Sequence, residues 1–339
     1  MSSASTKSPR KEVSVSEKFA QKRLAWARRP EILKNHHRLI LGDARKLLGF
    51  LPAGTTVDLV VTSPPYWDLK RYEDDHGGAQ LGHLHERKQF LAALDEVWRQ
   101  SFELLEPGGR LVVVVGDVCR SRRQFGRHSV DPLHAYIQVH CQALAFDPLA
   151  PIIWKKIANL STEAARNGST FLGKPYEPNA IVKNDLEHIL IFRKPGGYRH
   201  PTEEQRALSV LSKEDHRRFF EQVWTDLPGE PKRHHPAPFP LELARRLIAM
   251  FSFVGDTVLD PFSGIGTTTR AAIELHRASI AVEIEPEYWK KARLLIGEPP
   301  EHATVEFVTS EPTASPQAPG EALLPAALSQ TDGIMRSSN

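Results

Sequence analysis

Thr257-Val258-Leu259-Asp260-Pro261-Phe262-Ser263-Gly264-Ile265-Gly266-Thr267-Thr268 is the stretch on which the fold of this chain turns. A short apolar run that passes directly into a Gly-x-Gly turn and two threonines predicts a buried strand, a tight loop and the opening of a helix. Glycine has no Cβ and reaches positive φ, so the loop backbone can approach a ligand closely. The free amides of the helix start favour a carboxylate. Glu283, about twenty residues on, stands where Rossmann-like folds place an acid for ribose hydroxyls. Thr269 takes the place of the third glycine or alanine of a dinucleotide fingerprint, and no Gly-Lys-Ser/Thr follows, which disfavours a nicotinamide cofactor and a P-loop. Alone, a Gly-x-Gly is more often an ordinary turn.

A second loop, Thr62-Ser63-Pro64-Pro65-Tyr66-Trp67, follows a similar run, Val57-Asp58-Leu59-Val60-Val61. Both loops are expected at the carboxyl ends of parallel strands, where open α/β sheets bind their ligands. Around them the pattern alternates. Phe90, Leu91, Leu94, Val97, Trp98, Leu104 and Leu105 predict a helix over 86–106, stopped by Pro107-Gly108-Gly109. A core strand is expected over 110–115, a helix over 131–146 capped by Asp131, strands over 151–156 and 187–193, and a helix over 241–251. Such alternation argues for a mostly parallel sheet with helices on both faces.

The chain has 339 residues, 40% of them apolar, which suffices for one large or two ordinary domains. Cys119 and Cys141 are too few for a disulfide framework or a zinc site, and the histidine pairs lack a second ligand cluster, so no metal is expected. No run is long and apolar enough to span a bilayer, and a cytoplasmic, reducing compartment is expected. The head, residues 1–35, is basic, with nothing to bury before about Arg10 and a candidate basic helix over 13–29. The tail, 299–339, is rich in Pro, Ser, Thr, Ala and Glu and is expected to be disordered. A net charge of +3 does not by itself imply a polyanionic partner. Arg120, Arg122, Arg123 and Arg127, then Lys155 and Lys156, cluster as phosphate contacts do, although a solvated charged face gives the same pattern.

Further segments complete a family pattern: Gly42-Asp43, Gly108-Gly109-Arg110 leading into 112–115 and Gly116-Asp117, then 187–194, His235-Pro236-Ala237-Pro238-Phe239-Pro240, and Ala281-Val282-Glu283-Ile284-Glu285-Pro286-Glu287-Tyr288. In this order they resemble the β-class DNA amino-methyltransferases, which use S-adenosylmethionine and carry the catalytic motif ahead of the cofactor motif. The Ser-Pro-Pro-Tyr form is most like the cytosine-N4 branch. The resemblance implies a doubly wound, Rossmann-like α/β methyltransferase sheet over 36–298, with a catalytic half (36–194), a small target-recognition segment (195–232) and a cofactor half (233–298). It implies cofactor roles for Asp43, Asp260, Pro261, Phe262, Gly264, Gly266, Thr267, Thr268 and Glu283, with Asp43 and Phe262 near the adenine. Asp43 and Glu285 also read as helix caps, and Asp260 as loop scaffold. Double-stranded DNA is the implied partner, with room for a companion restriction endonuclease.

The catalytic loop suits that chemistry. An exocyclic aromatic amine is a weak nucleophile because its lone pair is delocalised into the ring. Acceptors against its hydrogens localise that pair and stabilise the charge that develops. Ser63 Oγ and the Pro64 carbonyl are the candidates, and tandem Pro64-Pro65 fixes the loop. Tyr66 can stack on a base flipped out of the duplex; Trp67 reads equally as wall or core. Taken alone, Ser-Pro-Pro-Tyr is a proline turn. A cytosine-C5 enzyme is disfavoured, since neither cysteine follows a proline. Adenine N6, an RNA or small-molecule amine, and a catalytically silent DNA-binding regulator stay open.

Overall fold

The computed structural model describes residues 33–67, 80–84, 86–120, 125–127, 129–156, 185–229 and 240–309. Valine- and isoleucine-rich runs supply most of the long strands. These are β1 (Asn35–Leu41), β2 (Val57–Thr62), β3 (Leu105–Val115), β8 (Leu186–Arg193), β10 (Thr257–Asp260), β11 (Ala278–Glu283) and β12 (Ala303–Val308). Shorter strands are β4 (Val118–Arg120), β5 (Ser129–Asp131), β6 (Asp147–Pro148), β7 (Ile152–Lys155) and β9 (Val223–Trp224). The sheet runs β12-β1-β11-β10-β2-β3-β8-β7-β9, with β6 against β8, and β4 and β5 pair separately. From β12 to β3 every pairing is parallel; β8 is antiparallel to both β3 and β7.

Helices cover both faces. On one lie a 3-10 segment (Ala44–Phe50), α1 (Arg87–Leu104) and α2 (Leu133–Ala143), whose Leu47, Phe90, Leu94, Trp98 and Ile137 meet Val60, Val113, Leu259 and Ile280 of the sheet. On the other, α5 (Leu241–Phe251) and α6 (Thr267–Glu274) pack Leu243, Leu247, Ala271 and Ala272 against Leu59, Val112 and Val258. The last helix, α7 (Pro286–Ile296), covers Leu39 and Ala281 with Trp289 and Ala292. Two short helices, α3 (Glu203–Leu208) and α4 (Lys213–Phe219), lie between β8 and β9 in the chain. From the neighbouring strands β2 and β10 the crossovers leave in opposite directions, through α1 to β3 and through α6 to β11. The carboxyl ends of β2 and β10 therefore flank a topological switch point.

The structure corrects several expectations. Residues 303–308 are not tail but the edge strand β12, in register with β1 from Asn35↔Ala303 to Ile40↔Val308, and Asn35 belongs to the sheet rather than the head. Asp131 ends β5 instead of capping a helix: its carboxylate binds Arg120 at 2.7 Å and Arg87 at 3.5 Å, and α2 starts after Pro132. β3 begins five residues early, at Leu105, and absorbs 106–109 in an irregularity between Val57↔Leu105 and Leu59↔Arg110. A side chain at Gly109 would come within 2.9 Å of the Asp58 and Glu106 carbonyls, so glycine is required there.

The segment 195–232, expected to carry target recognition, starts at the amino ends of the central strands. Arg199 binds Asp58 at 2.7 Å and also Asp256, at the amino ends of β2 and β10, and Gly197 lies against Gly108 near the start of β3. Its first half thus buttresses the end of the sheet opposite the two loops. Only β9 and the residues after it run back along β7. The expected helix over 13–29, Arg122, Arg123 and His235 fall outside the described residues.

Candidate active site

Thr62, the last residue of β2, and Asp260, the last of β10, are joined by a hydrogen bond, Thr62 Oγ1 donating to Asp260 Oδ1 at 2.7 Å. Thr268 Oγ1 donates to Oδ2 at 2.6 Å and the Phe262 amide to Oδ1 at 3.1 Å. Asp260 is buried, and burial pushes its carboxyl up against these donors. Its oxygens are spent on the scaffold: one side chain ties the two loops and α6 together. Gly266 enters α6 with φ 78°, and a Cβ there would also crowd Ala292 at 3.1 Å.

Between the loops lies a small pocket with a cavity volume of about 70 Å³. Ser63 and Pro65 line it from β2, Pro261, Phe262 and Gly264 from β10, and Glu283 and Glu285 from β11. Glu283 is held by two amides, Gly264 N at 2.7 Å and Glu285 N at 2.8 Å. Burial nonetheless pushes its carboxyl up to about 7, with the neighbouring charges of Asp260 and Glu285 adding to the rise. Phe262 meets Trp98 edge-on, ring centroids 6.2 Å apart. Asp43 also lines the pocket while its carboxylate accepts the Arg45 amide at 2.9 Å and pairs with the Arg45 guanidinium at 2.7 Å. The cap reading of Asp43 therefore holds alongside its place in the wall. Glu285 does both as well, accepting from the Glu287 amide at 3.2 Å.

Of the candidate cofactor residues, Asp43, Pro261, Phe262, Gly264 and Glu283 border the pocket; Asp260, Gly266, Thr267 and Thr268 build its frame behind that lining. Val282, Ile284 and Tyr288, from the 281–288 segment, also line it, as do Gln80 and Leu81, which belong to no segment singled out in the sequence. Among the described residues, three carboxylates and no lysine or arginine border it, beside an apolar wall of Leu81, Phe262, Val282 and Ile284. That donor set fits a flat heteroaromatic group, ribose hydroxyls and a cationic sulfonium.

Pro64 is buried and Tyr66 half-buried. Tyr66 lies over Gly116, its Cε2 3.6 Å from where a Cβ of that glycine would stand. Trp67 resolves to the core, its Nε1 donating to the Leu84 carbonyl at 2.8 Å. Past Gly116, Asp117 accepts from His134 Nδ1 at 2.6 Å, and the His134 ring stacks on His188 at 3.8 Å and 10°. Burial would raise the Asp117 carboxyl, but the bond and charge of His134 hold it below the usual range. Burial and His134 together lower His188. Asp117, His134 and His188 each offer one potential metal-ligand atom, and these lie within 4.8 Å of one another; the Asp117–His134 hydrogen bond and the ring stack already join the three.

The basic candidates separate. Arg120 is paired with Asp131 and stacked 4.7 Å over the Trp67 ring. Lys156 Nζ binds Glu187 Oε1 at 2.7 Å. Arg127 and Lys155 are exposed.

A parallel sheet whose switch point joins a Ser-Pro-Pro-Tyr loop to a Gly-x-Gly loop is the frame of an S-adenosylmethionine-dependent amino-methyltransferase. The chain belongs to the N6/N4 DNA methylase family, whose model, described as DNA methylase, matches residues 57–294. The type II methyltransferase M.MjaI of Methanocaldococcus jannaschii is 37% identical over 282 residues, covering 75% of this chain and 88% of that protein. A putative DNA modification methylase from Thermus thermophilus, solved with S-adenosyl-L-methionine, is 50% identical with a TM-score of 0.66, covering 81% of this chain and 99% of that one. The PvuII cytosine-N4-specific DNA methyltransferase, 19% identical with a TM-score of 0.57 over 78% of this chain and 88% of its own, shares the fold. The protein is thus a DNA methyltransferase that uses S-adenosylmethionine.

Proposed function

We propose that the chain methylates the exocyclic N4 amine of a cytosine flipped out of double-stranded DNA. The observation that carries this reading is one pocket bordered by Ser63 and Pro65 on one side and by Phe262, Gly264 and Glu283 on the other. S-adenosylmethionine supplies an electrophilic methyl group when bound. Glu283 and Asp43 are placed to hold its hydroxyl and adenine groups, with Phe262 against the ring. Ser63 Oγ and the Pro64 carbonyl accept from the amine, localising its lone pair and stabilising the charge that forms on it. Tyr66 replaces stacking lost on flipping, worth roughly 1–3 kcal/mol. Arg127 and Lys155 contact phosphates.

Serine rather than aspartate or asparagine at position 63 favours cytosine. Adenine N6 is the second reading, because its amine poses the same problem and both residue types offer an acceptor. Type II methyltransferases among the relatives support a role in modifying DNA beside a restriction enzyme. The test is mass spectrometry of nucleosides from unmodified DNA treated with the protein and S-adenosylmethionine, against Ser63→Ala. N4-methylcytosine in the active sample alone is the expected result. N6-methyladenine moves the chain to the second reading, and an unimpaired Ser63→Ala overturns the catalytic assignment.

A further inference from the structure

Lys156 and Glu187 form an ion pair at the end of the sheet that carries Ser63 and Tyr66. Glu187 enters β8 opposite Trp154 of β7 and is only 8% exposed. Its Oε1 accepts from Lys156 Nζ at 2.7 Å, and Oε2 has no partner among the described residues. Glu187 and Tyr66 flank one glycine: a Cβ on Gly116 would lie 3.5 Å from Glu187 Cγ and 3.6 Å from Tyr66 Cε2. The lysine is held as firmly. Its ammonium stands 5.3 Å over the Trp154 ring, and its stem lies so close to Gly229 that a Cβ there would come within 2.9 Å of both Cγ and Cε.

A partly buried ion pair is a weak source of stability, since desolvation offsets its attraction. This one leaves the ammonium two further donors, and its partner Glu187 shares Gly116 with Tyr66, on which the target base would stack. In a flipped cytosine the amine is occupied by Ser63 and Pro64, so N3 and O2 are the acceptors left on that edge. Adenine has N1 but only a C2 hydrogen at the position of O2. A fixed charged donor suits the first edge and is left partly unpaired by the second, a strong form of discrimination. We infer, resting on the cytosine-N4 reading, that Lys156 reads the Watson–Crick edge of the flipped cytosine and that Glu187 is its positioning residue.

The test compares wild type, Lys156→Met, Lys156→Arg, Glu187→Gln and the double variant Lys156→Met/Glu187→Gln in steady-state methylation of unmodified duplex DNA. Binding of S-adenosylmethionine is measured for each by calorimetry. Lys156→Met should raise KM for DNA at least about tenfold with cofactor affinity unchanged, Lys156→Arg should recover part of the loss, and Glu187→Gln should fall between. The double variant decides the matter: it removes both charges, so a merely structural pair predicts recovery toward wild-type KM, whereas a reader predicts no recovery. Recovery in the double variant, a wild-type KM in Lys156→Met, or a parallel loss of cofactor affinity overturns the assignment. The wild-type nucleoside product tests the cytosine reading separately, so the two can fail independently.

Discussion

Glu283 joins ligand binding to pH more directly than any other residue of the pocket. Its carboxylate accepts two amides, yet burial sets its titration near 7, well above an exposed glutamate. The linkage has a definite sign. Below the unfolded value of 4.5 both states are protonated and nothing is lost. As pH rises toward about 7 the unfolded chain ionises first, so this group lowers the stability of the ligand-free protein across that window. A cation or ribose hydroxyls bound against the carboxylate stabilise its ionised form. Affinity for S-adenosylmethionine should therefore strengthen about tenfold from pH 6 to pH 8, with a proton released on binding in the lower part of that range. Calorimetry in buffers of different ionisation enthalpy measures both, and Glu283→Gln should flatten the profile. A flat wild-type profile would remove Glu283 from the contact.

Among the elements, α3 and α4 follow a segment tied by Arg199 to the amino ends of β2 and β10. Arg199 is 20% exposed and is shared by Asp58 and the almost fully buried Asp256, whose carboxylates would otherwise face each other. Burial and Asp256 already push the Asp58 carboxyl up. Replacing Arg199 with methionine should cost about 3–5 kcal/mol, the usual penalty for orphaning a buried charge. The DNA sequence preference of the surviving folded protein should be unchanged. Thermal melts and sequencing of methylated sites check the two halves. A shifted preference with an unchanged melting temperature would instead place Arg199 in target recognition. Nearer the catalytic end, the Lys156 amide donates to the Asp185 carbonyl at 3.0 Å.

For the molecule as a whole, what is legible in the sequence is what physical chemistry encodes locally. Runs such as Val112 to Val115 can only be core, and a Gly-x-Gly after such a run can only be a tight turn at a strand end, so the sheet, both loops and α5 are readable. Nonlocal pairing is not. Ala303–Val308 alternates as a strand should, but its partner β1 lies at the other end of the chain and its surroundings have tail-like composition. Gln80 and Leu81 reach the pocket only because the topology brings a 3-10 turn to the strand ends, and no spacing announces that. Charge misleads for a similar reason: a cluster of cations along the chain does not say which have carboxylates beside them in space. The consequence is testable in DNA binding. Arg120 is committed to Asp131, so its replacement should leave the salt dependence of affinity nearly unaltered. Replacing the exposed Arg127 and Lys155 together should weaken binding to all sequences alike and lower the slope of log K against log salt by about 2, close to one unit per phosphate contact. Filter-binding titrations at several salt concentrations separate the cases, and an unchanged slope in the double variant would exclude those two residues from the DNA backbone.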